Sequence, residues 1–597
     1  MRHSIILAVA LIVAGYASAS LDTMIPAPQE VEALDVNVPV EGGIIALLAD
    51  DPKAQIAAEE INARIEELGG TALPVAEDGA GTRIALSVGD AAPDHEQGYA
   101  IVHSVDGARH LFTLEGHDAQ GLLYAAVTFR EMLDVEDGQV VIPAANVRDW
   151  PDFPLRNLGA PFEEPLRDHY YPMHSYAQKG EMDRAREEGE QHIALMKRYM
   201  DWLLRHKINM TGGMLPRGHM ASATDYGRQV MREVTDYARS RGIVAEVREN
   251  IAIGSYPADK DNPDFADVAY HSSHRRYFCW SRLDYHREKA ARLAQYMADA
   301  GIGALYLHDV DGGGWRNPAL WDDRCALCRE TYGDDHAKAD QVVFGIYYDA
   351  VREAVPDAVF GAVIYPYSPS HLDPDSIEES LRAEMGDVPG IRGIAEQYAS
   401  RNRALLERLN SLVPDDWHIC IRENTRERFD LFREIWDPKP FYTYFEYLRS
   451  RSVQPWFATS PRSTGTFIYE GYDDILYGSI PGWGFRQPLR LFAAQAAWNV
   501  SASDPETFGR DAWGHWTQTQ QPTELAQKWA LRTSADLWGE DVAPYMLPLF
   551  TRNLSPQLLF NTEEVADRAG MTDLSGVLAE QYEAAPVSYT HLRAHET

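Results

Sequence analysis

The residues best suited to catalysis are acidic side chains that follow short runs of β-forming residues. Asp309 and Asp311 end the run that begins at Ala304, and Asp311 stands directly before three glycines and Trp315. Glu446 ends another run of this kind. Two such carboxyl groups can divide general acid and general base work at a glycosidic bond. An Asp before glycines can also cap a turn, and that alternative stays open for Asp311.

Polar and aromatic residues accompany these carboxylates at the ends of other β-rich runs. The candidate catalytic residues are Asp311, Glu446, Glu423 and Asp309. The candidate substrate-binding residues are Arg248, Asn250, His308, Trp315, Tyr365, Arg422, Asn424 and Tyr444. Aromatic faces suit sugar rings, while amides and guanidinium groups suit hydroxyls and acids. The combination indicates a carbohydrate substrate.

Alternation along the third run predicts which of its side chains point inward. Ala245 and Val247 are predicted to face surrounding helices, which leaves Glu246, Arg248 and Asn250 facing the inside. Inward guanidinium groups bind carboxylates through two hydrogen bonds and so favour a uronic-acid substrate. The alternative is that they pair with acids inside the protein core.

The same alternation applies to the sixth run, where Arg422 and Asn424 are predicted to face inward. Glu423 would then point outward unless the strand has already ended. On the seventh run, Glu446 shares a face with Tyr444.

Eight β-rich runs separated by helical patterns follow residue 151. The runs are Leu155–Ala160, Ile208–Met214, Ile243–Asn250, Ala304–Asp311, Val359–Tyr365, Trp417–Asn424, Phe441–Tyr447 and Thr464–Tyr472. Eight strands alternating with helices over about 310 residues are typical of a (β/α)8 barrel. Barrel enzymes place their active sites at the carboxyl ends of the strands. We therefore predict an α/β fold class, with a (β/α)8 TIM barrel over residues 151–485.

The regions on either side of this barrel have their own patterns. Residues 20–150 alternate strand and helix signals and predict a small α/β domain. Its predicted helices are Ala54–Leu68 and Gln120–Leu133, and its predicted strands are Arg83–Val88, Gly98–Val102 and His110–Leu114. The prolines of Asp149-Trp-Pro-Asp-Phe-Pro favour an extended linker after it. Residues 486–586 show helical periodicity and predict a C-terminal helical region.

The two ends of the sequence carry processing and artefact signals. Arg2 and His3 precede a short apolar run and Ala17-Ser-Ala19, which is typical of a secretory signal cleaved after Ala19. We expect an exported protein without a membrane anchor, secreted or periplasmic. Residues 587–597 (VSYTHLRAHET) resemble translated sequencing adapter and are expected to be foreign, with the natural C-terminus missing.

Composition excludes several classes of function. The 597 residues carry 55 Lys and Arg against 90 Asp and Glu, a formal net charge of −35, which disfavours nucleic-acid binding. The glycines after Asp311 lack the Lys and Ser/Thr of a P-loop, and no G-x-S-x-G motif occurs. Cys325 and Cys328 have the spacing of half a zinc site, but a local disulfide or two free thiols is favoured in an exported chain. We expect no cofactor and no catalytic metal.

Two segments carry a resemblance to known glycosidases. The N-terminal stretch GYAIVHSVDGARHLFTLEGHDAQGLLYAAVTFREML resembles the domain shared by α-glucuronidases and β-N-acetylhexosaminidases. The line YLHDVDGGGWRNPALWDDRCALCRETYG resembles an exported branch of the same barrel glycosidases. The resemblance implies this domain, the barrel, and hydrolysis of a terminal sugar.

The resemblance also implies roles for particular residues. In α-glucuronidases an acid at the end of strand four protonates the leaving group, and Asp311 occupies the similar place. Phe445-Glu446-Tyr-Leu is similar to their strand-seven motif, which makes Glu446 the candidate base; Glu423 is only the nearest acid to their strand-six carboxylate. In hexosaminidases an adjacent acid pair on strand four polarises the substrate's acetamide, whereas Asp309 and Asp311 are separated by Val310.

These observations leave several functions open. The favoured one is an exported glycoside hydrolase that removes terminal sugars, with uronide hydrolysis ahead of substrate-assisted hexosaminide hydrolysis. A non-catalytic carbohydrate-binding barrel is the main alternative. A polysaccharide lyase, with Tyr365, Tyr367 or His308 as base, is a further one. An Asp311–Glu446 separation of roughly 6.5–9.5 Å would indicate inversion, and about 5 Å retention.

Overall fold

The computed structural model describes the N-terminal half of the chain almost continuously and the remainder in short segments. The described residues are 24–157, 165–212, 224–250, 270–272, 275–277, 280–308, 326–334, 336–363, 393–397, 418–422, 463–464, 494–495, 497–499 and 501–502.

The first domain is a mixed seven-stranded sheet. Its strands are β1 (Glu30–Pro39), β2 (Ile44–Leu47), β3 (Arg83–Val88), β4 (Tyr99–Asp106), β5 (Arg109–Gly116), β6 (Asp134–Glu136) and β7 (Gln139–Asp149). The strand order is β1-β7-β4-β5-β3-β2, with β6 paired to β7. Strands β2, β3 and β5 run parallel, while β4 is antiparallel to both β5 and β7.

Two helices pack on this sheet, and each begins at an aspartate. They are α1 (Pro52–Glu67) and α2 (Ala119–Met132). Asp51 and Asp118 accept hydrogen bonds from the backbone amides of Lys53 and Gly121, which satisfies donors that the first turn leaves open. Helix α2 buries most of its length, including Phe129, whose ring packs edge-on against Phe112 of β5. These helices lie where the sequence predicts them.

The second domain is built on a parallel sheet. Its strands are β8 (Met210–Gly212), β9 (Val244–Asn250), β12 (Ala304–His308), β13 (Val359–Val363), β14 (Gly393–Gln397), β15 (His418–Arg422) and β16 (Ser463–Thr464). The order is β16-β15-β14-β13-β12-β9-β8, and every pair is parallel. Asn157 adds a parallel bridge to Met210 on the outer side of β8. The seven strands and the bridge at Asn157 therefore follow one another in chain order in a single parallel sheet, which is the strand order of a (β/α)8 barrel.

Helices lie between these strands and pack side by side in chain order. They are α3 (Pro165–Gln178), α4 (Met182–Arg205), α5 (Asp225–Ser240), α6 (Leu283–Ala300), α7 (Ala326–Tyr332) and α8 (His336–Ala354). Helix α3 packs on α4, α4 on α5, α5 on α6, and α6 on α8. A short hairpin, β10 (Tyr270–Ser272) with β11 (Arg275–Tyr277), precedes α6.

The strand order corrects the sequence-based assignment in its second half. Strand β14 at Gly393–Gln397 was missed, because GIAEQ is short, begins with glycine and lacks a clear alternation. Strand β15, predicted as the sixth, is therefore the seventh. Strand β15 pairs directly with β16, which leaves no place between them for the predicted strand Phe441–Tyr447. That segment itself lies outside the described residues.

The terminal regions are described only in part. Residues 1–19, the suspected adapter at 587–597, and most of 486–586 lie outside the described residues. Within the described part of the chain, no helix is both long and apolar enough to cross a membrane.

Candidate active site

The carboxyl ends of the parallel strands bring several predicted site positions to one edge. In the backbone register, Arg248 pairs with Tyr306 and Asn250 with His308. On the other side of the sheet, Arg422 is in register with Gln397 of the unpredicted strand β14. The side chains of Arg248, Asn250, His308 and Arg422 lie outside the described part of the structure. Their backbones lie at the carboxyl ends of the parallel strands, and this edge of the sheet is called the rim below. Active sites of barrel enzymes lie at this edge.

The remaining predicted site residues cannot be placed on this rim. They are Asp309, Asp311, Trp315, Tyr365, Glu423, Asn424, Tyr444 and Glu446, all of which lie outside the described residues.

Beneath this rim the inner face of strand β9 is described, and it carries a carboxylate. Ala245 and Val247 belong to the core shared with the helices, so Glu246 points to the opposite side, as alternation predicts. The Asn157 side-chain amide donates to Glu246 Oε2 at 2.9 Å. Both side chains are buried, with only 2% of Asn157 and 5% of Glu246 exposed. The inside of the sheet therefore holds a polar pair where barrels usually hold branched apolar side chains.

Strand β12 continues this inner face. Leu305 and Leu307 belong to the core shared with the helices, whereas the buried Tyr306 does not. Tyr306 thus faces the inside, in register with Arg248. Glu246 lies two residues before Arg248 along β9, and Arg248 is in register with Tyr306 of β12.

A second buried polar cluster joins the two domains at the opposite end of the strands. Asp149, the last residue of β7, accepts hydrogen bonds from Tyr99 Oη at 2.5 Å, Lys207 Nζ at 2.7 Å and Trp498 Nε1 at 2.9 Å. Lys207 lies between α4 and β8, at the amino end of the parallel strands. Burial lowers the pKa of Lys207, and the charge of Asp149 opposes that shift. Burial also raises the pKa of Tyr99 well above its usual value, and Asp149 adds to this.

Arg156 extends this interdomain cluster. Its guanidinium donates to the carbonyl oxygen of Lys207 at 2.6 Å, to that of Phe153 at 2.7 Å and to Gln97 Oε1 at 2.6 Å. Arg156 is fully buried, and burial lowers its pKa. All three acceptors lie in the linker, the first domain or the amino end of the barrel, so the cluster holds the domains together and lies away from the rim.

Buried histidines on the outer helices form a third cluster. His192 of α4 is 1% exposed and lies 5.4 Å from the Tyr170 ring, centroid to centroid. Among the described residues, neither ring nitrogen of His192 has a hydrogen-bond partner. Burial, with smaller contributions from His169 and His174, lowers the pKa of His192 to about 3. A histidine that stays neutral at physiological pH and lies between helices has a packing role.

The described position of Cys328 tests the predicted disulfide between Cys325 and Cys328. Cys328 is a buried thiol outside any disulfide, and the Ser281 hydroxyl donates to its sulfur at 3.2 Å. The local disulfide with Cys325 is therefore the wrong alternative, although Cys325 itself lies outside the described residues. In the described part of the chain, no group of three or more His, Cys, Asp or Glu side chains is arranged to hold a metal ion.

Sequence reasoning missed three parts of this arrangement. Asn157 was not considered, because one amide in the predicted first strand carries no signal of its partner. Gln397 was missed with its strand. The Asp149 cluster joins residues that are far apart in the sequence, and only the prolines after Asp149 marked that segment as special.

Comparison with known protein families identifies the first domain. Residues 22–150 match the family model "Glycosyl hydrolase family 20, domain 2". This match confirms that part of the expected resemblance that concerned β-N-acetylhexosaminidases. No curated protein sequence matches the chain.

Solved structures similar to this chain have the same overall fold. An exo-β-N-acetylglucosaminidase of family 20 from Vibrio harveyi, in complex with N-acetylglucosamine, superposes with a TM-score of 0.56 at 13% identity, covering 84% of this chain and 78% of that one. A β-N-acetylhexosaminidase from Bacteroides fragilis gives 0.53 at 14% identity, covering 83% and 96%. A mutant Streptomyces plicatus β-hexosaminidase with bound product gives 0.52 at 14% identity, covering 83% and 95%.

The match and the fold together support a glycoside hydrolase. The fold is mixed α/β and resembles that of family 20 enzymes, a TIM-barrel family. The comparisons favour the hexosaminidase alternative over α-glucuronidase, which had been the preferred hypothesis.

Proposed function

We propose that this protein is an exported glycoside hydrolase that removes terminal N-acetylhexosamine residues from oligo- or polysaccharides. The observation that carries the proposal is the family 20 domain over residues 22–150, which lies in front of a parallel sheet with polar residues at its carboxyl edge. The domain and the sheet share the buried Asp149 cluster, so the two occur here as one assembly.

The proposed chemistry uses the acids that follow strand β12. Asp311 acts as the general acid and protonates the glycosidic oxygen as its bond to the anomeric carbon breaks. Asp309 polarises the substrate's acetamide, whose oxygen forms the new bond to that carbon, and water then opens the resulting ring to release the sugar. This division requires one carboxyl group to stay protonated while the other is ionised, which neighbouring acids achieve through their mutual repulsion. Trp315 and Tyr365 offer aromatic faces for the sugar ring. Glu446 and Glu423 are the alternative candidates for the catalytic carboxylates.

A substrate comparison tests this proposal. The purified protein should hydrolyse an aryl N-acetyl-β-glucosaminide and should be inactive on the aryl β-glucoside, which lacks the acetamide. Asp311→Asn and Asp309→Asn should each reduce kcat at least about 100-fold, as expected for an acid or an electrostatic partner in the reaction. Asp106→Asn, on the exposed β4–β5 turn, is the matched control and should retain full activity.

Other outcomes of the same screen identify other functions. Hydrolysis of an aryl α-glucuronide without hydrolysis of the N-acetylglucosaminide would overturn the proposal in favour of uronide hydrolysis. An unsaturated, ultraviolet-absorbing product from a uronate polymer would indicate a lyase. Binding of sugars without turnover would indicate a carbohydrate-binding barrel.

Export is the second part of the proposal, and it rests on the sequence of residues 1–19. We expect the protein secreted by a bacterial host to begin at Ser20, which mass spectrometry of the intact N-terminal peptide would establish. Retention of the first 19 residues on secreted material would contradict it.

A further inference from the structure

The inner face of the barrel sheet holds a buried acid for which the proposed chemistry has no role. Glu246 lies midway along β9, two residues before Arg248 and four before Asn250. Its neighbours in the register are Gly212 on β8 and Ala304 on β12.

One side chain bonded to this carboxylate comes from the first strand position. Asn157 pairs with Met210 in the backbone, and Met210 with Val244, so Asn157 lies two residues lower in register than Glu246. Its amide nevertheless reaches Glu246 Oε2 at 2.9 Å, diagonally across strand β8. The hydrogen bond therefore links the first strand to the third across the second.

Stability does not account for a carboxylate at this place. Burying a polar group costs free energy even when it is paired, and apolar side chains of similar size are usually as stable or more stable. Local rules of this kind are broken mainly where function requires it. At a rise of roughly 3.3 Å per residue, Glu246 lies about 7 Å below Arg248, close enough to set how strands one and three stand at the rim.

We propose that Asn157 and Glu246 form a positioning pair for the active site. Their hydrogen bond fixes the first strand against the third beneath the rim and thereby orients the rim residues Arg248 and Asn250 toward the substrate. This inference rests on the proposed function, because the substrate is taken to bind at that rim.

Two substitutions of Glu246 separate the effect of the hydrogen bond from that of packing. Glu246→Gln keeps an acceptor oxygen for Asn157 and should retain kcat within about threefold. Glu246→Leu fills the space without an acceptor and should lower kcat/KM about 10- to 100-fold, the size of effect expected when a rim is displaced by about 1 Å. Thermal unfolding reports whether each variant is folded.

Substitution of Asn157 by aspartate tests the hydrogen bond through the pH dependence of activity, which a change in packing alone would not alter. Asn157→Asp places two carboxylates together, which raises the pKa of one of them strongly. Activity should then persist at acidic pH, where one proton bridges the pair, and fall at higher pH, where both ionise and repel. The double variant Asn157→Asp/Glu246→Gln restores one amide and one carboxylate and should restore the wild-type pH profile.

The outcomes distinguish this inference from the proposed function. Wild-type kcat/KM in Glu246→Leu, or a pH profile of Asn157→Asp that matches wild type, would overturn the positioning role while leaving the function intact. If wild-type protein binds N-acetylglucosamine calorimetrically but hydrolyses no glycoside, the function fails, and weaker binding by Glu246→Leu alone would still support the pair. Neither turnover nor binding by wild type would overturn both. If Glu246→Leu fails to fold, the pH profiles of the Asn157→Asp pair decide.

Discussion

The buried His192 makes the stability of the barrel helices depend on pH in a calculable way. In the folded protein the pKa of His192 is about 3, whereas an unfolded histidine titrates near 6.5. Between these values the unfolded chain binds more protons than the folded one. Stability is therefore unaffected above pH 6.5 and falls as the pH decreases toward 3.

The size of this effect follows from the two pKa values. At pH 7.5 the contribution of His192 is below about 0.1 kcal/mol, and at pH 5.0 it is about 2 kcal/mol of lost stability. His192→Leu removes the titrating group and keeps an apolar side chain against the Tyr170 ring, 5.4 Å away. The difference in unfolding free energy between pH 7.5 and 5.0 should shrink by about 2 kcal/mol in this variant. His169 and His174 remain, so the rest of the pH dependence stays.

Urea unfolding at the two pH values, followed by helix circular dichroism, measures this difference. His117→Leu, which changes an exposed histidine at the end of β5, is the matched control and should follow wild type. The reasoning is refuted if His192→Leu and wild type lose equal stability between pH 7.5 and 5.0.

Three further predictions concern the described parts of the chain. Asp149→Ala leaves Lys207 buried without its carboxylate and should cost about 3–5 kcal/mol in urea unfolding, whereas the double change Asp149→Ala/Lys207→Met should cost less than the sum of the single changes. Thr224→Ala removes the oxygen that accepts from the Gly227 amide at the start of α5 and should cost about 1 kcal/mol, with Thr224→Ser near wild type. Cys328→Ser should leave the number of thiols that react with Ellman's reagent unchanged in the native protein and lower it by one in guanidinium, because Cys328 is 1% exposed; an extra native reactive thiol in wild type would contradict this.

The first domain was largely predictable because its signals are local. Helices α1 and α2 start at capping aspartates and show apolar residues at helical spacing, and both were assigned within two residues of their observed bounds. Strands β3, β4 and β5 were predicted from their β-branched and apolar runs. Strands β1, β2, β6 and β7 were missed. For β1 the reason is that its exposed, charge-rich edge sequence EVEALDVNVP lacks a buried run.

The parallel sheet of the second domain was predictable, but the identity of each strand was not. The alternation of helices and β-rich runs predicted eight strands, and the described residues form seven parallel strands and the bridge at Asn157. Replacing Gly393–Gln397 by Phe441–Tyr447 kept the count and changed the order, since aromatic residues have a stronger β signal than GIAEQ. Roles that depend on strand number, such as the assignment of Glu446 to strand seven, therefore do not follow from the sequence pattern.

The partners of buried polar groups were the least predictable feature, because they are far apart in the sequence and lie in both domains. Lys207 and Trp498 lie outside residues 22–150, yet both donate to Asp149 inside that domain. Deleting the domain would leave a buried ammonium and an indole nitrogen without this acceptor, at the amino end of the strands that carry the rim. We therefore expect the second domain to be less stable without the first, because Lys207 and Trp498 would lose a buried acceptor that no residue of their own domain replaces in the described structure.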